Sequence, residues 1–178
     1  MSPQISLRLA NTAWESLLTA HSVLLREFAA ESVWQDHGLT MREYDVLYTL
    51  AKSGGVAAEN GDPTTCAARI GELQQGVLLS QPALSRMVDR LAERGLVERV
   101  EDEEDGRAVR VRLTADGLEL QRSVGRAHAR SVASAIGGAL NGSEQRELRR
   151  LATKLVTGAS RRGRAPAKST RAPKNQEK

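Results

Sequence analysis

Between residues 5 and 33, Trp14, Leu17, Leu18, His21, Leu24, Leu25 and Phe28 recur at steps of three and four, the period of one face of a long helix. Gly38 breaks that pattern. Thr40 can cap a second helix, and Glu43 three residues on completes a capping box. Tyr44, Leu47, Tyr48 and Ala51 share one face of this helix, which Ser53-Gly54-Gly55 is expected to end near Lys52. Gly54 to Thr65 is built from Gly, Ala, Asn, Asp, Pro and Thr and reads as a loop. Ala68-Arg69-Ile70 reads as a short strand, Glu72 to Val77 as a short helix and Leu78-Leu79 as a turn. Ser80 is a good N-cap for the next helix, whose first turn tolerates Pro82. Leu84, Val88 and Leu91 point inward with Met87 beside them, and Gly95 ends the run. Leu96 to Val100 and Val109 to Leu113 flank a turn-like Asp102–Gly106. Val109, Val111 and Leu113 alternate with Arg110 and Arg112, the mark of a β-hairpin. Thr114 caps a long helix over about 115–136, Gly137-Gly138 interrupts it, and Asn141-Gly142-Ser143 opens a last helix marked by Leu148, Leu151 and Leu155. No internal repeat is visible.

Helix, short strand, helix, turn, helix and hairpin, in that order, make a winged helix-turn-helix. The expected fold is therefore mainly α with a small β-hairpin wing: an N-terminal helix in 1–37, a DNA-binding domain in 38–113, C-terminal helices in 114–157, to which, with the first, the resemblance given below assigns dimerisation, and a tail in 158–178. In such a domain the second helix of the motif enters the major groove. The helix after Ser80 has an outward face suited to that. Gln81 and Ser85 can exchange hydrogen bonds with base edges or phosphates, and Arg86 and Arg90 carry a planar fork that fits guanine or phosphate. Pro82 and Ala83 are small enough to let the helix start come close, and the N-terminus at Ser80 favours a phosphate. Asp89 is read as a structural partner of a nearby arginine.

The run Leu78-Leu79-Ser80-Gln81-Pro82-Ala83-Leu84-Ser85-Arg86-Met87-Val88-Asp89-Arg90-Leu91, then Gly95-Leu96-Val97, resembles the recognition helix of the MarR (multiple antibiotic resistance regulator) family. Asp105-Gly106-Arg107 followed by Leu113-Thr114 and Gly117 resembles that family's wing, and Gly38-Leu39-Thr40 through Glu43-Tyr44-Asp45-Val46-Leu47 is similar to its second helix. The likeness is dense over 70–117, looser over 38–51, and with the flanking helices spans about 5–157. It implies a two-fold dimer with interleaved first and last helices, and a transcriptional regulator, a repressor by preference, released from DNA by a small, often aromatic, ligand or an oxidant. It also implies that Arg107 reaches a minor groove and that Asp105 holds the wing's shape. Three features depart from the pattern. The wing carries five acids in a row, Glu101 to Asp105, with Glu103 where relatives commonly have proline and Gly106 where many have a second arginine. The 54–67 loop is long, and the tail is an addition.

Charge sharpens the reading. The 158–178 tail holds seven basic side chains against the single acid Glu177, a net +6, which leaves −2 for the rest of a chain whose total is +4. With Pro166, Pro173 and no apolar periodicity, the tail is expected to be disordered and to favour a polyanion, DNA first. All five aromatic residues precede residue 50, and Trp14, Trp34, Tyr44 and Tyr48, with His37, are candidates to line a ligand pocket. Cys66 is the only cysteine, so no internal disulfide forms, and an inert thiol is the default over a redox switch. No apolar run is long enough to span a bilayer. The opening Met1-Ser2-Pro3-Gln4 lacks a leader pattern, so a cytoplasmic protein is expected. His21, His37 and His128 have no metal-type spacing, and no phosphate loop or nucleophile elbow is present. No metal, cofactor or catalysis is therefore expected. The expected partners are double-stranded DNA, a second copy of the chain and a small aromatic ligand, with no membrane. Two other classes remain open: an architectural, sequence-independent DNA binder that relies on the tail, and a winged helix turned to protein contact.

Overall fold

Short polar side chains set where the helices begin. The computed structural model describes the backbone of residues 6–57, 67–102 and 109–163. Its elements in chain order are α1 (Leu7–Ala29), α2 (Ser32–Asp36), α3 (Met41–Ala57), β1 (Ala68–Arg69), α4 (Ile70–Leu73), α5 (Gln81–Glu93), β2 (Val97–Glu101), β3 (Val109–Leu113), α6 (Ala115–Ala139) and α7 (Gly142–Gly163). The capping box expected at Thr40 is present: the Glu43 backbone N–H donates to Thr40 Oγ1 at 3.2 Å and the Thr40 N–H to Glu43 Oε2 at 2.8 Å. Thr114 Oγ1 likewise accepts from the Gly117 N–H at 3.0 Å and donates to the Gly95 carbonyl at 2.7 Å, tying the start of α6 to the exit of α5.

β3 lies between β1 and β2 in an antiparallel sheet, with Val97 opposite Leu113, Arg99 opposite Val111 and Ala68 opposite Val111. Because strand side chains alternate in direction, Val97, Val111 and Leu113 face inward while Glu98, Arg110 and Arg112 share the outer face. Under the sheet, Leu47, Leu50, Leu84, Val88 and Leu91 are buried. The core extends beyond residues 38–113, since Trp34, Leu118 and Val124 belong to it.

Several boundaries differ from the sequence expectation: the short helix expected from Glu72 to Val77 lies at Ile70–Leu73 and takes Ile70 from the expected strand. The first helix does not run to residue 33 but ends at Ala29, and α2 starts afresh at Ser32. The break carries Trp34 into the core, where its indole N–H donates to the Phe28 carbonyl at 2.6 Å, which also accepts from the Glu31 N–H at 3.3 Å. α3 passes through Gly54-Gly55 and α6 through Gly137-Gly138. Glycine costs a helix interior about 1 kcal/mol but blocks no backbone hydrogen bond. α6 stops only before Asn141, whose side chain accepts from the Ser143 and Glu144 N–H groups and starts α7. α7 then continues to Gly163, past the boundary expected at 157, because no proline intervenes before Pro166.

The chain divides into two compact units, Met1–Val132 and Ala133–Lys178. The first holds the core above. Its α1 has 23 residues and none of them buried, with Leu7, Leu9, Trp14, Leu17 and Leu18 exposed. In the second unit α7 leaves Leu148, Leu151, Leu155 and Val156 exposed. Among the described residues no helix is long and apolar enough to cross a membrane.

Candidate nucleic-acid interface

α5 is anchored by one face and offered by the other. Leu84, Met87, Val88 and Leu91 are buried at helical spacing, and each such side chain contributes about 1.5–3 kcal/mol of burial. That fixes which residues face out. Ser80, Gln81, Pro82, Arg86, Asp89 and Arg90 are exposed, and Ala83 and Ser85 are half-buried at the edge of that face. Ser80 stands at the N-cap in extended conformation, yet its side chain makes no capping hydrogen bond. Its hydroxyl and the open first turn are left to an external acceptor such as a phosphate.

The arginines divide sharply by partner. Arg94 donates from Nη2 to the Gly38 carbonyl at 2.8 Å and lies 3.7 Å from Glu43. Arg99 pairs with Asp89 at 2.6 Å, which joins α5 to β2 and confirms a structural role for Asp89. Arg112 pairs with Glu98 at 2.7 Å directly across the strands, and Arg69 pairs with Asp102 at 2.6 Å. Arg86 and Arg90 have no ion pair among the described residues. Two guanidiniums without an ion pair therefore project from the outward face of α5, Arg86 at mid-helix and Arg90 in its last turn.

The β2–β3 hairpin stands beside α5 where a wing is expected. Arg107, Asp105, Gly106 and the acids Glu103 and Glu104 lie outside the described residues, as do Cys66 and residues 164–178 of the tail. Of the acidic run, Glu101 is exposed but Asp102 is not: its side chain is wholly buried between Arg69 and Arg110. Of the arginines on the hairpin strands, Arg110 approaches Asp102, while Arg99 pairs with Asp89 and Arg112 with Glu98.

Of the five candidate pocket residues, the structure brings Trp34, Tyr44 and Tyr48 together in one aromatic cluster. Trp34 and Tyr44 are buried with ring centroids 5.5 Å apart, and Tyr48 stacks on Tyr44 at 6.0 Å with its outer side exposed. His37 is half-buried, its Nδ1 3.0 Å from the Val33 carbonyl and its Nε2 3.4 Å from Ser123 Oγ. Trp14 stands apart, exposed on α1. The cluster closes around His128, which the sequence places only among histidines without metal-type spacing. Its ring lies 5.3 Å from Phe28, 5.1 Å from Trp34 and 5.8 Å from Tyr44, and Glu31 sits 3.3 Å from its Nδ1. The spacing from the buried Gln121 and Val124 was the available signal for placing His128 inward. Of this cluster, Trp34 and Tyr44 belong to the hydrophobic core.

A cavity of about 280 Å³ lies elsewhere, lined by α1 (Leu25, Arg26, Ala29), α3 (Met41, Arg42, Asp45) and the turn before α5 (Val77, Leu78, Leu79). It is mostly apolar, with two arginines and one acid among its walls. Burial pushes the Asp45 carboxyl above its ordinary value, against the opposing pull of His128 and Arg42.

The model of the MarR family matches residues 37–108. The HTH-type transcriptional regulator PecS of Dickeya dadantii is 28% identical over 105 residues, which are 59% of this chain. The chain spans 58% of the length of that curated relative. Among solved structures, it is similar to AbsC, a MarR family transcriptional regulator from Streptomyces coelicolor (25% identity, 89% of this chain and 99% of the other, TM-score 0.68). Sco3205 from Streptomyces coelicolor, a MarR family transcriptional regulator solved in complex with DNA, shares the fold (24% identity, 88% and 91% covered, TM-score 0.67).

Proposed function

We infer that this chain, a MarR-family protein over residues 37–108, is a DNA-binding transcriptional regulator that reads a pseudo-palindromic operator as a homodimer, with α5 in the major groove. The observation that carries the reading is the pair Arg86 and Arg90, exposed and without an ion pair among the described residues, on the outward face of a helix whose inner face is locked into the core. Placed in a major groove, that face sets Gln81, Pro82, Ala83 and Ser85 toward base edges and Ser80 toward a phosphate. The β2–β3 hairpin, with Arg107, serves as the wing. The similarity to PecS and AbsC, both named as transcriptional regulators, supports the same reading.

Exposed apolar stripes support dimerisation. A helix draws most of its stability from burying an apolar face, and α1 buries none of its residues while α7 exposes four large apolar side chains. A second copy covers these stripes. Repression is the expected outcome of binding, and an effector suits the cavity beside the turn that leads into α5. Its lining favours a small aromatic acid, the rings against Leu25, Met41 and Val77 and the carboxylate toward Arg26 and Arg42.

The test is selection of genomic fragments by the purified protein at physiological salt, followed by footprinting. A protected pseudo-palindrome with half-sites about 10 bp apart supports the reading. Arg86→Ala should then cost roughly 1–3 kcal/mol with relaxed specificity if it touches a base, or weaken all sequences evenly if it touches only phosphate. Equal, steeply salt-dependent binding to every fragment would favour the architectural alternative that rests on the basic tail.

A further inference from the structure

The acid at the base of the wing has a role its neighbours in sequence conceal. Asp102 follows β2 at the point where the hairpin leaves the sheet. Continuing the alternation of Glu98 and Val100, it falls on the sheet's outer face, where an acid would ordinarily be solvated. Its side chain is nevertheless 0% exposed. Two arginines on the other strands lie against it. Arg69 of β1 donates from Nε to Asp102 Oδ2 at 2.6 Å, and Arg110 Nε of β3 lies 4.0 Å from the same oxygen. Arg69 and Arg110 stand directly opposite each other in the β1–β3 register. Like charges in that position repel and weaken a sheet, so the carboxylate between them is what lets the two strands pair there. Arg110 Nε is itself buried and has no hydrogen-bond partner among the described residues, which leaves it dependent on the nearby carboxylate. Arg69 is also the N-cap of α4, the first helix of the helix-turn-helix. One carboxylate thus connects β1, the base of the hairpin and the first helix of the motif.

We propose that Asp102 is a positioning residue for DNA binding: bracketed by Arg69 and Arg110, its buried carboxylate fixes the direction in which the β2–β3 hairpin leaves the sheet, and so whether the wing reaches the DNA. The proposal rests on the reading of the domain as a DNA-binding winged helix. It makes a prediction opposite to that of simple charge. Asp102→Asn adds one unit of positive charge beside a polyanion, so electrostatics alone tightens binding. As a positioning residue, its loss weakens binding, by about tenfold for one misplaced group of contacts.

The experiment compares the full-length protein with Asp102→Asn and Asp102→Glu on the selected operator, by affinity and by hydroxyl-radical footprint, with thermal melting of each. The expected result is weaker binding by Asp102→Asn, with the minor-groove protection at the site's flanks lost and the central protection from α5 retained. Asp102→Glu, which keeps the charge, should recover most of both. Should Asp102→Asn fail to fold, Arg110→Gln, which removes one of the two brackets of the carboxylate, carries the same test through its flank-to-centre ratio relative to the parent. Tighter binding by Asp102→Asn, or flank and centre protection lost in equal proportion in either variant, overturns the proposal. Failure of the parent to protect any operator would instead strike at the DNA-binding reading itself.

Discussion

Gly117, at the start of α6, offers a test with an internal control. A Cβ built there would lie 1.9 Å from the Leu96 carbonyl oxygen, whereas real Cβ atoms essentially never come closer than 3.0 Å to such an atom. The obstacle is backbone, so no side chain can swing aside. In Gly117→Ala the start of α6 and the first residues of β2 must part by more than 1 Å. That motion strains the Thr114 N–H bond to the Leu96 carbonyl and the Thr114 hydroxyl bond to Gly95. Two effects oppose each other. Alanine favours a helix over glycine by about 1 kcal/mol, and overpacking of this kind costs on the order of 3 kcal/mol. The clash wins, for a net loss of about 2 kcal/mol, which corresponds to a melting temperature roughly 4–8 °C lower for a chain of this size. Gly138, in the same helix, has nothing within 4 Å of its would-be Cβ. Gly138→Ala should therefore retain only the helix gain, a few tenths to about 1 kcal/mol. Thermal or urea unfolding of both variants reads the contrast. If Gly117→Ala is as stable as the parent, the close approach of α6 to Leu96 is wrong, and with it the account of how the wing root is held.

Two further outcomes follow from the cavity beside α5. Burial raises the Asp45 carboxyl above its ordinary 3.8, so the folded state holds that proton more tightly than the unfolded state does. The carboxyl is most favourable to folding at pH values below 3.8 and becomes adverse as pH rises through the folded value. Asp45→Asn has no such titration, so its melting temperature should exceed the parent's by more at about pH 7 than at about pH 3, and a gap that widens on acidification would contradict the burial argument. Benzoate-type acids should raise the melting temperature of the protein and weaken its hold on the operator, with both effects lost when Leu25→Trp fills the cavity. A response unchanged in that variant would place the ligand elsewhere.

What could be read from the residues was whatever one element decides alone. The inner face of α5 follows from Leu84, Val88 and Leu91 at helical steps, and the hairpin from the alternation of Val109 to Leu113. The Thr40–Glu43 box is likewise complete within four residues. What escaped is decided between elements. Ala30 and Glu31 have no aversion to helix, and the chain breaks there because Trp34 gains burial and the Phe28 carbonyl. The glycine pairs at 54–55 and 137–138 were read as ends, although glycine weakens a helix without obstructing it. The cavity draws its walls from three separate segments with no aromatic residue among them, so the aromatic positions pointed away from it. Asp102 lies in a run of acids that looks solvent-facing, and only the strand register shows the two arginines above it. The residues of the DNA-facing surface were legible as a set because burial of the opposite face leaves them no other direction.

The crowding of every aromatic residue ahead of residue 50 has an optical consequence. Neither α5 nor the β2–β3 hairpin contains a tryptophan or tyrosine, so the proposed DNA-contacting surface is silent in protein fluorescence. The buried indole of Trp34 reports from the core, against Tyr44 and His128, while Trp14 reports from α1, where pairing with a second copy would shift its emission to the blue. No base can quench Trp34 by contact from a groove occupied by α5. A change in the blue part of the emission when the operator is added therefore measures how far the effect of binding travels through the core, and the native chain carries that probe without a label.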